Sequence, residues 1–318
     1  MIASAVLARV SADVAAAAQL ACLLEVSAPK PGNVSPGRHF ADARYEDFLA
    51  SAVAIGEPLA GADRRPLGAT VCLAIEATGR WTRSNTNLGI VLLLAPLARA
   101  ALQLGSDPGA GPESDPNLQS AARRVLDQTT VDDARAVYAA IRLAAPGGLG
   151  RADEQDVAGE PTMTLLEVMR LAARRDGIAR EYETGFLTTF GTGAPALHRA
   201  RRDGLSWSDA TVETFLTLLA AAADTHIARR AGDAMAREVS RAARAALEAG
   251  GVRSEAGRRA IDEMDRRLRD PRHVANPGTT ADLTAAAIFV VVLEGGWSPQ
   301  SRLTGRREAA SVESGFSP

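Results

Sequence analysis

Alanine and leucine recur at helical spacing along almost the whole chain, while segments in which Val, Ile or Thr alternate with polar residues are scarce. Apolar residues repeated every three to four positions form one face of a helix, whereas a half-buried strand needs a repeat of two. The pattern therefore predicts an all-α protein. With 318 residues, of which 46% are hydrophobic, the chain can bury the core of a single large multi-helix domain.

Helix boundaries are predicted from Ser, Thr, Asp and Pro residues that precede the apolar periods. One helix, 86–104, is apolar nearly all round, so we expect it to be buried at the centre. Residues 1–297 form the predicted catalytic domain, and 298–318 have too few apolar residues to pack, which predicts a disordered tail. The helices are predicted at 2–27, 45–61, 67–80, 86–104, 118–127, 131–144, 162–175, 178–190, 207–249 with a break, 254–269 and 279–294.

Charge and hydropathy exclude several classes of partner. A formal net charge of -2 and a pI near 6.1 provide no general attraction for nucleic acid. The longest apolar run, 88–102, is interrupted by Pro96 and Arg99 and is short for a bilayer crossing. The N-terminal segment contains Asp13 and lacks a basic leader. We therefore expect a cytoplasmic protein with no membrane partner.

Two cysteines lie in apolar helical patterns. Cys22 belongs to LACLLEV and Cys72 to ATVCLAIEA. A buried free thiol is the usual state of a cysteine in such a pattern, so a disulfide is not expected.

Lys30 is the single lysine among 36 Lys and Arg residues. Its segment, PKPGN, has two prolines that extend the backbone and a glycine, Gly32, that permits a tight turn. A compact ammonium suits a phosphate whose other oxygens are already bound, which predicts a phosphate contact; the alternative is the chance survival of one loop lysine. Further polar candidates follow within twelve residues: Asn33, Ser35, Arg38, His39 and Asp42.

Polar residues also gather before two predicted helices. Asn85, Thr86 and Asn87 precede the buried helix, where one side chain would cap it and three favour an anion site. Asn276 lies in a turn before the last helix, and Asp282 lies in that helix either as a site residue or as an acid that favours the helix dipole.

A fourth polar segment surrounds Asp224. This carboxylate suits a cation, and Arg229 and Arg230 suit phosphate oxygens, although both arginines are also within helical reach of Asp233. The four histidines are scattered without a helical pair, so oxygen ligands and magnesium are expected in place of a histidine-bound metal.

These four segments, in this order, resemble the triphosphoribosyl-dephospho-CoA synthase family. Members carry E-V-x-x-x-P-K-P-G with a following H-x-D element, N-T-H-K-G, D-[TS]-N/H-[LI] ending in R-x-G, and S/N-P-G-x-[ST]-A-D-L. The matching segments here are Glu25–Gly32 with His39 and Asp42, Asn85–Gly89, Asp224–Gly232 and Asn276–Leu283. The likeness extends over residues 20–295 and agrees with an all-helical fold.

The resemblance implies transfer of the 5-triphosphoribosyl group of ATP to the 2'-hydroxyl of 3'-dephospho-CoA, with release of adenine. It implies ATP as a substrate, Mg²⁺ as a cofactor and nucleotide partners, and it leaves a homodimer open. An oxocarbenium-like transition state needs a base and cations beside the triphosphate. The implied catalytic residues are His39, Asp42, Asp224 and Asp282, the three acids also serving magnesium. The implied binding residues are Lys30, Asn33, Ser35, Asn85, Thr86, Asn87, Arg229, Arg230 and Asn276.

One departure from the family pattern concerns Asn87 and Leu88, which replace a histidine and a lysine. The absence of the titratable imidazole and of the lysine cation argues against a reaction identical to that of the family. Other segments resemble a divergent branch of methanogens and C1-metabolising bacteria, which implies a transferase or ligase for a one-carbon carrier of the methanofuran or tetrahydromethanopterin type. That branch adds Arg142, Arg180 and Tyr182 as binding candidates and Asp156 as a magnesium ligand, with surface ion pairing as the alternative for each.

Two further functions stay open. An ADP-ribosyl-type N-glycoside hydrolase would use Thr130, Asp132 and Asp133, although Val131 separates them and Thr130 also fits a helix cap. A non-catalytic helical binding protein is compatible with the composition, but it would leave the polar groups at several helix starts without a role.

Overall fold

The computed structural model describes residues 2–106, 117–270 and 272–297. These residues form helices and connecting turns, with no strand among them, which confirms the all-α prediction. The predicted tail 298–318 lies outside the described residues. The helices are α1 Ile2–Ser27, α2 Tyr45–Ala54, α3 Gly56–Ala60, α4 Leu67–Gly79, α5 Leu88–Ser106, α6 Leu118–Asp127, α7 Val131–Ala144, α8 Leu165–Ala172, α9 Gly177–Thr184, α10 Ala194–Arg202, α11 Trp207–Ala221, α12 Thr225–Ala231, α13 Asp233–Glu248, α14 Glu255–Leu268 and α15 Gly278–Val291.

Several predicted boundaries shift for local reasons. The segment 45–61 divides at Ile55 into α2 and α3. The segment 207–249 breaks twice: Asp224 caps α12, and Gly232 takes a φ of 87° before α13. Thr164 caps α8, so that helix starts later than predicted. Side-chain caps and a left-handed glycine therefore set boundaries that periodicity alone misplaces.

The helix α10 was not predicted from the sequence. Gly185, with a φ of 62°, ends α9, and a π-helical turn at Thr189–Gly193 leads directly into α10. Two glycines and Pro195 suggest a loop here, yet proline is well accommodated in the first turn of a helix. Gly193 is needed because a Cβ at this position would approach the Cβ of Ala287 to 2.9 Å.

Buried apolar side chains form two clusters. The larger one is built from α1 to α10 with most of α15, and the smaller one from α11 to α14. The prediction of a buried central helix is confirmed by α5, and α15 is buried over most of its length as well. Since Ala281 belongs to the smaller cluster and Ala285 to the larger one, the first turns of α15 lie where the two cores meet.

By length and composition alone, three helical segments could cross a membrane: Val10–Ser27, Leu88–Gly105 and Gly278–Gly296. The expectation that no apolar run is long enough is therefore wrong. In each of the last two segments, 67% of the residues are buried inside the protein, because α5 and α15 pack against each other and against α1. The absence of a membrane partner stays a prediction.

Tyr182 has a structural role that its predicted part in substrate binding did not anticipate. Pro96 lies inside α5 and has no N–H, so the carbonyl of Leu92, one turn earlier, loses its helical partner. The hydroxyl of Tyr182 donates to this carbonyl at 2.7 Å, and the side chain is fully buried. Burial, with a smaller contribution from Asp133, raises the pKa of the phenol. The placement of Tyr182 in the core corrects its assignment to the site.

The substitution Tyr182→Phe should lower the free energy of unfolding by about 1–2 kcal/mol, because it leaves a buried carbonyl without a donor. In a Pro96→Ala background the new backbone N–H can bond Leu92, so the same substitution should cost clearly less. Urea unfolding of the two single variants and the double variant measures this coupling. Equal losses in both backgrounds would show that the hydroxyl does not compensate for Pro96.

Candidate active site

Lys30 is fully buried, and its ammonium points into the protein. It lies 2.9 Å from Oε1 of Glu25 and donates to the carbonyls of Glu25 and Ala28, the latter at 3.2 Å. An ammonium has three N–H groups, and these three partners use all of them. Lys30 therefore neutralises a buried carboxylate and leaves no N–H for a phosphate, which corrects its predicted contact. A compact tetrahedral donor fits this position, whereas the planar fork of arginine does not.

The loop after α1 is held against α14 by one carboxylate. Asp265 accepts from the backbone N–H of Gly32 at 2.8 Å and from Arg38 and Arg269 at 3.1 and 2.8 Å. Gly32 has a φ of 75°, and a Cβ there would press on Leu268. The PKPG loop is consequently a rigid element that connects the two cores.

Asp224 joins the starts of α12 and α15. Its Oδ1 accepts from the backbone N–H groups of His226 and Ile227 at 2.8 and 3.0 Å. Its Oδ2 accepts from the backbone N–H and the hydroxyl of Thr280, both at 2.7 Å. Burial raises the pKa of this carboxyl, and the four hydrogen bonds oppose that shift. Because a carboxylate has about four lone-pair positions, Asp224 has none left for a metal or a proton transfer.

The start of α9 also packs against the starts of α12 and α15, through small side chains. The backbone N–H of Gly177, at the start of α9, donates to the hydroxyl of Thr225 at 3.0 Å, and this hydroxyl also contacts that of Thr279 at 3.0 Å. A Cβ on Gly278 would overlap the His226 ring. Burial and the neighbouring arginines of α12 lower the pKa of His226 to about 4, so its imidazole is neutral at pH 7.

Asp282, in the second turn of α15, contacts the start of α5. Its carboxylate fills the space above Gly89, where a Cβ would overlap Oδ2. Within the described residues it accepts no hydrogen bond from the protein, and it is half-buried. Burial raises the pKa of Asp282 well above its usual range, and the negative charges of Glu25, Asp224 and Asp176 raise it further.

Arg229 and Arg230 point to different partners. Arg229 forms an ion pair with Asp176 at 2.5 Å, and its positive charge partly offsets the rise in the pKa of Asp282. Arg230 is exposed and donates to the carbonyl of Arg272 at 3.0 Å. Arg229 therefore lies close enough to Asp282 to influence its pKa, whereas Arg230 lies at the exposed edge of the site.

Several buried polar atoms in these segments have no hydrogen-bond partner in the protein. They are Ser35 Oγ, Arg229 Nε, His273 Nδ1 and Asn276 Oδ1. Buried polar groups are usually paired, so four such atoms within the predicted site segments indicate surfaces that a polar ligand can satisfy.

The polar side chains before α5 form hydrogen bonds mainly with other parts of the protein. Asn85 is exposed and its Oδ1 accepts from the first backbone N–H of α5 at 3.1 Å, which makes it a cap. Thr86 is buried and contacts the hydroxyl of Ser51 at 2.5 Å. The buried amide of Asn87 donates to the hydroxyl of Thr78 at 3.0 Å. Their predicted phosphate contacts therefore have structural alternatives that are already formed.

Arg142 and Asp156 organise the glycine-rich loop between α7 and α8. Arg142 donates to the carbonyl of Val157 at 2.7 Å. Asp156 accepts from the backbone N–H groups of Ala152 and Ala158 at 2.6 and 2.8 Å, and these bonds lower its pKa. Neither residue is brought to Asp282 by these contacts, although another part of the loop, Gly148, lies against the side chain of Arg230.

Three other candidates lie at the edges of the site. Arg180 donates to the carbonyls of Ala173 and Arg174 at 3.2 and 3.5 Å, so it closes the end of α8. His39 and Asp42 are exposed. Asp42 nevertheless lies close enough to His273 to influence its pKa, which burial lowers.

His273 stacks on Phe40, with ring centroids 4.0 Å apart. Asn33 is buried, and its amide donates to the carbonyl of Pro31 at 3.2 Å. The ring stack connects the loop after α1 to the segment that precedes α15, whereas the Asn33 hydrogen bond lies within the loop itself.

The predicted magnesium ligands Asp42, Asp156, Asp224 and Asp282 do not form a metal centre. Across residues 2–106, 117–270 and 272–297, no group of three or more His, Cys, Asp or Glu side chains is arranged to hold a metal ion. Asp224 is saturated by hydrogen bonds, Asp156 holds a loop, and Asp42 is exposed. Of these four acids, Asp282 combines partial burial with a carboxylate that accepts no hydrogen bond from the described part of the protein.

Sequence reasoning missed Glu25, Asp176 and Asp265 as individual site residues. Asp176 caps α9 and pairs with Arg229, and its position directly before the GIAREYE helix is a capping signal. Glu25 lies one helical turn before the PKPG loop inside a quoted motif. The role of Asp265 is not visible locally, because apart from Arg269, one helical turn away, its partners Gly32 and Arg38 lie more than 200 positions away in the sequence.

The contacts define an all-α protein in which several helix starts converge on a free carboxylate and an arginine. The chain belongs to the family described as CitG, ATP:dephospho-CoA triphosphoribosyl transferase, whose profile matches residues 11–301. The resemblance inferred from the four segments is thereby confirmed.

Relatives and a solved structure support the same membership. The chain is similar to a provisionally named 2-(5''-triphosphoribosyl)-3'-dephosphocoenzyme-A synthase of Pseudomonas paraeruginosa, with 38% identity over 38% of the chain and 42% of the relative. A protein of the same name from Pseudomonas syringae pv. tomato is 36% identical over 41% of the chain and 45% of the relative. These alignments thus span less than half of each curated relative.

A crystal structure from Archaeoglobus fulgidus, provisionally named a triphosphoribosyl-dephospho-CoA synthase, covers 78% of this chain and 99% of its own. It superposes with a TM-score of 0.58 at 31% sequence identity.

The variant Lys30→Met should lose about 3–5 kcal/mol of folding free energy, because it leaves Glu25 charged and buried without a partner. Adding Glu25→Gln should recover much of this loss, since the remaining charge is then removed as well. Guanidinium unfolding of both variants and of Lys30→Arg measures the effect. If Lys30→Met keeps wild-type stability while the KM for ATP rises, the lysine contacts phosphate after all.

Proposed function

We propose that this chain transfers the 5-triphosphoribosyl group of ATP to the 2'-hydroxyl of 3'-dephospho-CoA. The bond between ribose C1' and the adenine nitrogen breaks, and a bond forms between C1' and the acceptor oxygen. The hydroxyl proton is lost to a base, adenine gains a proton as it leaves, and the triphosphate stays intact. Family membership supports the reaction class, and the free carboxylate of Asp282 is the structural observation that carries the proposal.

Asp282 is the proposed general base. A base needs an unoccupied lone pair and a pKa closer to neutrality than an ordinary aspartate provides. Asp282 meets both conditions, because it accepts no hydrogen bond within the described residues and its pKa is raised by burial and by Glu25. Asp224 is the proposed positioning residue, since its bonds to Thr280 hold the first turn of α15 and so place Asp282.

Arg229 is the proposed phosphate contact nearest to the base. Its buried Nε has no partner, while one terminal nitrogen is held by Asp176. A guanidinium fixed in this way can direct its remaining N–H groups to phosphate oxygens without further loss of side-chain freedom. Arg230 supplies charge at the rim, and Ser35 and Asn276 offer unpaired atoms for ribose or phosphate groups.

Magnesium is proposed as part of the substrate, MgATP, rather than as a resident ion. Mg²⁺ is commonly bound through substrate phosphates with only one or two protein carboxylates, and the described acids do not form a cage for it. The cytoplasmic location, the absence of nucleic-acid and membrane partners and the open question of a homodimer stay predictions.

A related transferase or ligase acting on a one-carbon carrier precursor is the second candidate. It is favoured by Asn87, whose amide is directed to Thr78 where the family pattern has a histidine. The hydrolase alternative is disfavoured, because Asp133 is occupied by a capping box with Thr130 and by the backbone N–H of Gly68.

Incubation with MgATP and 3'-dephospho-CoA should release one adenine for each acceptor consumed, as measured by liquid chromatography and mass spectrometry. Adenine release with a different acceptor would favour the one-carbon alternative. Formation of ADP or AMP would contradict the proposed reaction, and free triphosphoribose without an acceptor would favour hydrolysis.

The variant Asp282→Asn should lower turnover at least about 100-fold, because an amide cannot accept the hydroxyl proton. Asp262→Asn, the same change at an exposed position of α14, is the matched control and should retain activity. In the native protein, turnover should fall as the pH drops through the raised pKa of Asp282, since the protonated acid is inactive.

The same Asp282→Asn variant should be more stable than the native protein at neutral pH. A carboxyl whose pKa is raised by folding stabilises the folded state while protonated, and this contribution is lost as the pH rises toward the folded pKa. The amide of the variant stays uncharged at every pH, so it avoids this loss. Loss of activity together with loss of stability would indicate a structural role for Asp282 instead.

Magnesium titrated calorimetrically into the protein alone should bind more weakly than about 1 mM, whereas MgATP should bind with a saturable signal. EDTA should therefore stop the reaction without unfolding the protein. If Mg²⁺ binds tightly without nucleotide and Asp282→Asn abolishes this binding, the protein itself holds the metal ion and the proposal is wrong.

A further inference from the structure

A cavity with several charged residues in its wall lies away from the candidate active site. It has a volume of about 550 Å³ and lies between the turn after α3, the second half of α5 and the loop between α6 and α7. Its lining includes Arg64, Arg65 and Arg99, and no residue of the candidate active site. Arg99 and Gly89 are ten residues apart on α5, which corresponds to about 15 Å along the helix. The volume is typical of a small-molecule site.

The guanidinium groups of Arg64, which is exposed, and Arg65 lie close together. A Cβ on Gly61 would lie 2.5 Å from Nη2 of Arg65 and 2.9 Å from Nη2 of Arg64, so both guanidinium groups flank the same point. The guanidinium of Arg64 has no ion pair or hydrogen bond within the described part of the chain. That of Arg65 has only long contacts, with the carbonyl of Pro58 at 3.4 Å and with Glu57 at 4.0 Å. Two neighbouring guanidinium groups repel each other unless an anion lies between them.

The backbone beneath this pair is fixed by the third arginine. Arg99 is half-buried in α5, and its Nη1 donates to the carbonyl of Arg65 at 2.7 Å. The pair is therefore presented by an anchored turn, and the cavity does not depend on a freely moving surface loop.

The acids in the cavity wall do not neutralise the arginines. Asp133 accepts from Thr130 and from the first turn of α4, and Asp132 pairs with Arg135 at 2.5 Å. Asp63 differs, because its Oδ1 is buried and has no hydrogen-bond partner. The wall thus combines one guanidinium group without an ion pair, one with a single long ion pair, and one acceptor that needs a donor.

We propose that this cavity binds a sugar phosphate. The phosphoryl group lies between Arg64 and Arg65, for which arginine forks are well suited, and a sugar hydroxyl donates to Oδ1 of Asp63. This site is separate from the proposed active site and does not depend on the proposed reaction.

Binding is tested by calorimetry on the full chain with ribose 5-phosphate, ribose and inorganic phosphate as probes. Ribose 5-phosphate should bind most tightly. Gly61→Ala should weaken it at least about tenfold by displacing both guanidinium groups without changing charge, and Arg64→Gln by a similar factor. Gly79→Ala is the matched control, because a Cβ there meets no atom within 4 Å. Arg241→Gln, at an exposed position of α13, controls for charge.

The role of Asp63 is tested separately. Asp63→Ala, which removes the acceptor, should weaken ribose 5-phosphate binding severalfold while leaving inorganic phosphate as tight or tighter, since only the sugar uses the acceptor. The inference is overturned if ribose 5-phosphate does not bind at millimolar concentration, or if Asp282→Asn and Arg229→Gln abolish binding while Gly61→Ala does not. Equal binding of phosphate and ribose 5-phosphate would overturn the sugar contact.

Discussion

The ion pair between Lys30 and Glu25 is the interaction on which the site depends. Glu25 lies at the end of α1 in a region that also holds Asp176, Asp224 and Asp282, so several negative charges share a poorly solvated space. Removing ions from water costs several kcal/mol each unless they are paired and hydrogen-bonded. Lys30 meets this need with one carboxylate and two carbonyl contacts. Its ammonium allows Glu25 to stay charged, and the charge of Glu25 in turn raises the pKa of Asp282.

Asp224 and Asp282 both lie near the start of α15, but their carboxylates differ in the hydrogen bonds that they accept. Asp224 is held by four donors and is saturated, whereas Asp282, on the next turns of α15, accepts no donor from the described protein. A pair of acids in unequal surroundings is a common arrangement at catalytic sites, because one positions and the other reacts. Asp282 lies near the boundary between the two apolar clusters, since Ala281 of α15 belongs to the smaller cluster and Ala285 to the larger one.

The sequence predicts the helices well where periodicity and caps agree, as in α1, α6 and α7, whose bounds match the structure. It fails at α10, because glycine and proline often mark loops, whereas here Gly193 is required by close packing against α15 and Pro195 lies in the first turn of the helix. The motifs include Asp224, Asp282 and Arg229, whose charges the fold brings within reach of one another, while their roles in a site stay predictions. They do not reveal that Lys30 faces inward or that Tyr182 supports Pro96, since both depend on contacts between distant segments.

The departure from the family pattern at positions 87 and 88 has a structural interpretation. Leu88 is buried in the larger apolar cluster, and Asn87 bonds Thr78 of α4. The next residue, Gly89, is the one that contacts Asp282. Successive residues of a helix point about 100° apart, so positions 88 and 89 face different neighbours. Asn87 and Leu88 therefore contribute to the packing of this region against α4 and the larger apolar cluster, while Gly89 allows the close approach of Asp282.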